Sequence, residues 1–148
     1  MEDQELLQLF LTDLQVINRY LRSNVFDPNE RPITRVQWLL LRYIDKNCGC
    51  TIGELANYVD VRSSTMSQMI DRLEKNGLVY RECGKEDARI KKVYLHDKGL
   101  ALIKRMKSLY IKSLAEPFES FSNEEKETFI GLMEKFVRHI PRKKGDQT

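Results

Sequence analysis

The sequence has no run of apolar residues approaching the roughly 18 to 20 that a membrane-spanning helix needs, so no membrane partner is expected. Its opening, Met1-Glu2-Asp3-Gln4-Glu5, lacks the positive stretch that begins a secretory signal, which points to a cytoplasmic protein. Cysteine is limited to Cys48, Cys50 and Cys83, an odd number without the spacing of a disulfide scaffold, as suits a reducing compartment. Histidine is limited to His96 and His139, far apart in the chain. No glycine-rich phosphate loop, nucleophile elbow or paired-histidine metal motif is present. These gaps argue against an enzyme, a cofactor and a resident metal. Charge of one sign is also in short supply: 25 Lys and Arg against 22 Asp and Glu leave +3, too little by itself to announce a nucleic-acid partner.

What is present is ordinary for a folded domain. Hydrophobic residues at 41% and charged residues at 32% exclude disorder, and 148 residues can bury one real core. Placement of charge says more than its total. Between Arg62 and Lys92 stand eight cationic and five anionic side chains, an excess equal to that of the whole chain. That placement points to a nucleic-acid partner, with a solvated charged face as the competing account.

Periodicity and caps divide the chain. Leu6, Phe10, Leu14, Ile17 and Leu21 recur at three and four, an amphipathic helix without a cap of its own, and Ser23 to Pro32 is turn chemistry. Thr34 and Gln37 form a capping box, stapled by Ile33 and Trp38, for a helix to about Lys46. Cys48-Gly49-Cys50 breaks it. Thr51 and Glu54 open a short helix through Tyr58, Asp60 takes a turn, and Ser63 is the expected cap of a helix striped by Met66, Met69, Ile70 and Leu73. Asn76-Gly77 stops that helix. Leu78 to Cys83 and Ile90 to Leu95 read as a hairpin with a charged tip. A long helix follows from Asp97 to near Pro117. A last one, capped by Ser122 and Glu125, carries Phe129, Leu132, Met133, Phe136, Val137 and Ile140 before Pro141 and a polar tail from Arg142.

Two short helices around Asp60, followed by a hairpin, make a helix-turn-helix with a wing, an arrangement that lays its second helix in the major groove of duplex DNA. Leu55, Val59 and Val61 are expected to pack inward around Ala56. On the second helix the side opposite Met66, Met69, Ile70 and Leu73 carries Ser64, Gln68, Asp71, Arg72 and Lys75, flanked by Thr65 and Ser67. An amide suits adenine, hydroxyls suit base edges or phosphates, and Arg and Lys suit phosphates. Asp71 would repel phosphate, so it is assigned an intramolecular partner, Lys75 or Arg72. Arg62 and Ser63 at the helix start, with Lys85, Arg89 and Lys91 on the hairpin, complete the candidate DNA contacts.

Thr34 to Gln37, Glu54-Leu55-Ala56, Ser64-Thr65, Asp71 to Val79, Asp87-Ala88-Arg89, Val93-Tyr94-Leu95 and Lys98-Gly99 occur in the order and spacing of the MarR family of winged helix-turn-helix regulators, which this sequence resembles across about half its length. The resemblance implies a mainly α fold with a small antiparallel wing (α+β). Residues 1–33 and 97–148 would be dimerisation helices and 34–96 the DNA-binding region. It also implies a homodimer on a palindromic operator, with Arg89 entering the minor groove while Asp87 steadies the wing. A repressor released by a small aromatic or lipophilic effector is the implied function, with Tyr20, Trp38, Arg42 and Tyr43 as candidate pocket residues. One departure from the family pattern is His96-Asp97 where a Thr-led cap is usual, so Asp97 is expected to cap instead.

Three alternatives stay open at this point. The terminal helices could satisfy one another within one chain rather than in a dimer. Cys48, Cys50 and Cys83 could make a thiol- or metal-responsive repressor, with inert filler the plainer account of each. A winged-helix module could serve protein contacts without binding DNA.

Overall fold

The computed structural model describes residues 1–26 and 33–142. The turn expected at Asp27-Pro28-Asn29 and Pro32, and the tail beyond Arg142, lie outside the described residues. Helix α1 spans Asp3–Val25. It does have an N-terminal closure, because the Glu5 carboxylate accepts from the Glu2 N–H at 3.1 Å, where negative charge also meets the positive end of the helix. It continues through Ser23, whose hydroxyl donates back to the Tyr20 carbonyl at 2.9 Å and so finds a partner inside the helix.

Helix α2 is Arg35–Lys46, closed by the reciprocal Thr34 and Gln37 bonds that the sequence predicts, with Ile33 and Trp38 both buried. The chain then reverses through left-handed Cys48 (φ 52°) and Gly49 (φ 105°). A side chain at Gly49 would run into the Tyr94 ring, so glycine is required there for space as well as conformation. This turn delivers a strand that the sequence reading did not anticipate, β1 (Cys50–Thr51). Helix α3 (Ile52–Val59) starts on the Thr51 and Glu54 box and ends on left-handed Asp60 (φ 57°). Helix α4 is Ser63–Lys75.

Two expectations at this junction need correction. Arg62, not Ser63, holds the position before α4, and no side chain caps the helix. Val61 is exposed, because once Asp60 turns the chain its N–H is used to reach the Ala56 carbonyl at 3.0 Å while Leu55 and Ala56 fill the space between the helices. The far end of α4 behaves as the sequence implies. Gly77 is left-handed (φ 73°), the Leu78 N–H reaches the Leu73 carbonyl at 3.0 Å and the Gly77 N–H reaches the Glu74 carbonyl at 2.9 Å, so both of these last-turn carbonyls keep a donor.

Strands β2 (Val79–Cys83) and β3 (Lys91–Leu95) form the hairpin, and β1 joins on the other side of β3, giving an antiparallel sheet of order β1-β3-β2. Ile90 lies in the tip rather than the strand. Helix α5 (Asp97–Phe118) leaves the sheet directly. His96 rather than Asp97 occupies its N-cap position, and neither side chain caps it. The His96 N–H bonds instead to the Leu78 carbonyl at 3.0 Å, and Gly99 sits so close to that same carbonyl that any Cβ would collide with it. The start of α5 is thus fixed against the foot of the wing. Helix α6 (Asn123–Arg138) begins on the predicted Ser122 and Glu125 box and ends before Ile140.

The core lies where α2, α3, α4 and the sheet meet, around Leu40, Leu41, Ile44, Leu55, Met66, Ile70, Leu73, Val79 and Val93, with Leu102 and Met106 of α5 entering from one side. Among the described residues no helix is long and apolar enough to cross a membrane.

Candidate nucleic-acid interface

At 100° per residue the polar side of α4 divides into two strips. Ser67, Asp71 and Glu74 form one. Arg81 of β2 claims all three: its guanidinium donates to Asp71 Oδ1 at 2.7 Å and to the Ser67 carbonyl at 3.3 Å, and lies 3.5 Å from Glu74 Oε2. Asp71 therefore has the intramolecular role expected of it, with a different partner. An arginine from the neighbouring strand reaches it with a planar fork, whereas Lys75 and Arg72, on its own helix, make no ion pair among the described residues. Ser67 is half-buried beside this contact.

The second strip is Ser64, Thr65, Gln68, Arg72 and Lys75, all exposed. Arg62 and Ser63 extend it past the first turn and are exposed as well. Among the described residues no ion pair engages Arg62, Arg72 or Lys75. The strip offers hydroxyls at the start of the helix, an amide in the middle and cations at its end.

The wing tip is built on Asp87. Its Oδ1 accepts from the Arg89 N–H at 3.0 Å and from Arg89 Nε at 3.3 Å, while its carbonyl accepts from the Ile90 N–H at 3.1 Å. The Gly84 N–H closes the loop onto the Ile90 carbonyl at 2.6 Å. Arg89 emerges from this frame with its side chain 92% exposed, held only at Nε so that the outer nitrogens remain available. Lys85 at the tip and Lys91 at the start of β3 are exposed too. Helix α4 and the wing tip thus both present exposed cations. Arg81, which ties the two together, was missed by sequence reasoning; its signal would have been a basic residue four positions after the glycine stop, facing two acids on the preceding helix.

Residues 33–91 match the MarR family model. A curated relative from Bacillus subtilis, the HTH-type transcriptional regulator YsmB, is 31% identical over 115 residues, covering 78% of this chain and 79% of that protein. The chain belongs to the MarR family. Solved MarR structures superpose on nearly the whole of it. A MarR family protein from Bacillus stearothermophilus is 27% identical with a TM-score of 0.82, covering 96% of this chain and 99% of that one. A mutant MarR from E. coli complexed with operator DNA is 25% identical with a TM-score of 0.62, covering 93% and 94%.

The pocket residues inferred from the MarR resemblance separate into two groups. Trp38, Arg42 and Tyr43 line a cavity of about 840 Å³ between α2, α3, α5 and the end of α6, together with Tyr58, Lys107 and Tyr110. Arg42 lies 5.5 Å above the Trp38 ring, Trp38 stacks on Tyr110 at 5.9 Å, and Tyr43 stacks on Tyr58 at 4.2 Å. Burial raises the Tyr110 phenol above its ordinary value, opposed by the nearby Arg35 and Arg42, so the wall carries a neutral hydroxyl.

Tyr20 is not on this wall. Its hydroxyl donates to the Ser113 carbonyl at 2.8 Å. That carbonyl would ordinarily accept from residue 117, which is proline and has no N–H. Tyr20 supplies a donor in its place, and α5 runs through Pro117 to Phe118.

The cysteines of this MarR chain do not form a cluster that could hold a metal, nor does any other group of three His, Cys, Asp or Glu among the described residues. Cys48 and Cys83 are exposed. Cys50 is fully buried, paired with Val93 across the sheet, and its thiol is pushed up to about 12, first by burial, then by the Glu54 carboxylate, with Lys92 opposing.

Proposed function

We propose that this chain is a sequence-specific regulator of transcription that binds duplex DNA as a homodimer, acts in the cytoplasm, and represses until a small aromatic or lipophilic effector releases it. The observation that carries the reading is the open strip of Ser64, Thr65, Gln68, Arg72 and Lys75 beside a wing whose Arg89 projects from an Asp87-braced tip. A helix in the major groove uses such a strip for base edges and phosphates, and a directed arginine suits the negative potential of a neighbouring minor groove. The E. coli relative complexed with operator DNA supports the same partner.

The dimer is inferred from α6, which has no buried residue, and from Leu7, Leu11, Ile111, Leu132 and Val137, which stay exposed although α1 lies along α5 and Phe10 meets Phe136 at 5.2 Å. Packing among the described residues leaves these surfaces open. On this reading residues 1–33 and 97–148 dimerise while 34–96 read DNA. The cavity lined by Trp38, Arg42 and Tyr43 is the proposed effector site, with cations for an anionic group and rings for an apolar one.

Selection of bound sequences from random duplex DNA tests the whole reading. Recovery of an imperfect palindrome with half-sites about 10 to 11 base pairs apart, or a multiple, is expected. The same selection with Gln68→Ala should lose preference at one base pair per half-site, by about 1 to 3 kcal/mol. Failure of the unaltered protein to enrich any sequence would remove DNA reading.

A further inference from the structure

We infer that Arg81 is a positioning residue that masks the acids of the reading helix, and that DNA affinity depends on this masking. The inference rests on the proposed DNA-binding function. By itself α4 is electrically neutral: Asp71 and Glu74 balance Arg72 and Lys75. A helix with no net side-chain charge adds little to the salt-sensitive attraction of a phosphate backbone. Worse, Asp71 and Lys75 stand at the i, i+4 spacing, and the two charges would pair with each other in the absence of a competing partner. That pairing would withdraw Lys75 from the phosphates.

Arg81 removes both problems. It engages Asp71 at 2.7 Å and Glu74 at 3.5 Å with its own side chain only 26% exposed, so the two carboxylates are drawn to the β2 side of the helix. Its bond to the Ser67 carbonyl fixes the guanidinium to the helix backbone as well as to the acids. Arg72 and Lys75 are left without an ion pair among the described residues. The positive character of the reading surface is therefore supplied from outside the reading helix, by a residue that need not touch DNA.

The arrangement differs from simple structural support in one measurable respect: removing the acids should make Arg81 dispensable. A fluorescent duplex selected with the unaltered protein is titrated at several salt concentrations with wild type, Arg81→Met, and Arg81→Met combined with Asp71→Asn and Glu74→Gln, each first checked for a cooperative thermal transition. Arg81→Met should bind about tenfold or more weakly and with a shallower salt dependence, because fewer phosphates are neutralised. The triple variant should recover most of the affinity and the slope. Loss without recovery would mean that Arg81 contacts DNA or serves only as a brace, and would overturn masking. So would unchanged affinity in Arg81→Met. Absence of binding by wild type would instead defeat the DNA-binding reading on which the inference stands.

Discussion

The winged region and the helices that flank it are patterned alike in sequence, yet they bury their apolar side chains very differently. Among the described residues, fourteen of eighteen buried apolar side chains lie between Ile33 and Val93, and eighteen of twenty-two exposed large ones lie outside that stretch. The centre satisfies itself: α2, α3, α4 and the sheet turn their stripes toward one another. The flanks do not. An amphipathic stripe reports that a face will be covered, and it is silent on whether the cover belongs to the same chain.

The comparison is broken most sharply in the centre. Leu73→Ala removes a fully buried side chain where α4 meets the sheet, and should cost about 2 to 5 kcal/mol, read as a lowered urea midpoint. A change below about 1 kcal/mol would mean that the centre tolerates cavities and is not the self-contained core described.

The flank should answer differently. Leu132→Glu adds a carboxylate to a side chain 61% exposed in the single chain, so folding of the winged region should be unaffected. If that surface is covered by a second copy, burying the charge should weaken dimerisation roughly a hundredfold, equivalent to about 3 kcal/mol. Sedimentation across a concentration series measures it, and an unchanged association constant would place the dimer contact elsewhere.

A smaller effect is expected at the wing. Arg89→Ala should lower duplex affinity by about 1 to 3 kcal/mol and reduce the salt slope of a dimer by about two, with no change in thermal stability. Arg89→Lys should recover only part, since it lacks the planar fork. Equal slopes and affinities in all three proteins would remove the wing from DNA contact.

The smallest effect concerns the cysteines. Cys48 and Cys83 should react with a thiol reagent in the folded protein and Cys50 only after unfolding, with the double change of Cys48 and Cys83 to Ser leaving DNA affinity intact. Because the Cys50 thiol is raised from 9.0 to about 12 in the fold, the unfolded chain releases that proton first. Stability from this group is full below about 9 and declines as pH climbs toward about 12. Prompt reaction of three thiols in the native protein would contradict the burial of Cys50.

Much of this fold was legible because its signals are local. Thr34 with Gln37, Thr51 with Glu54 and Ser122 with Glu125 each place both halves of a closure within three residues, and Gly77 marks its stop by itself. What escaped notice depends on distant partners. Strand β1 is two residues long and exists only because β3 lies beside it. The site was legible in the same proportion: the strip on α4 follows from spacing and the Asp87 brace from the family resemblance, whereas the choice of Arg81 by Asp71 required knowing that β2 packs along the helix.

The bond between Tyr20 and Ser113 spans 93 residues of sequence, and it bears on the order in which the molecule is assembled. A growing chain delivers α1 first and α5 much later. When the stretch around Pro117 emerges, its interrupted turn has no donor of its own, and the only repair described is a hydroxyl already waiting on the first helix. The carbonyl at Ser113 thus gains its partner only once the far end of the first helix lies against the fifth, so a copy lacking the last turns of α1 around Tyr20 would leave that acceptor without this donor.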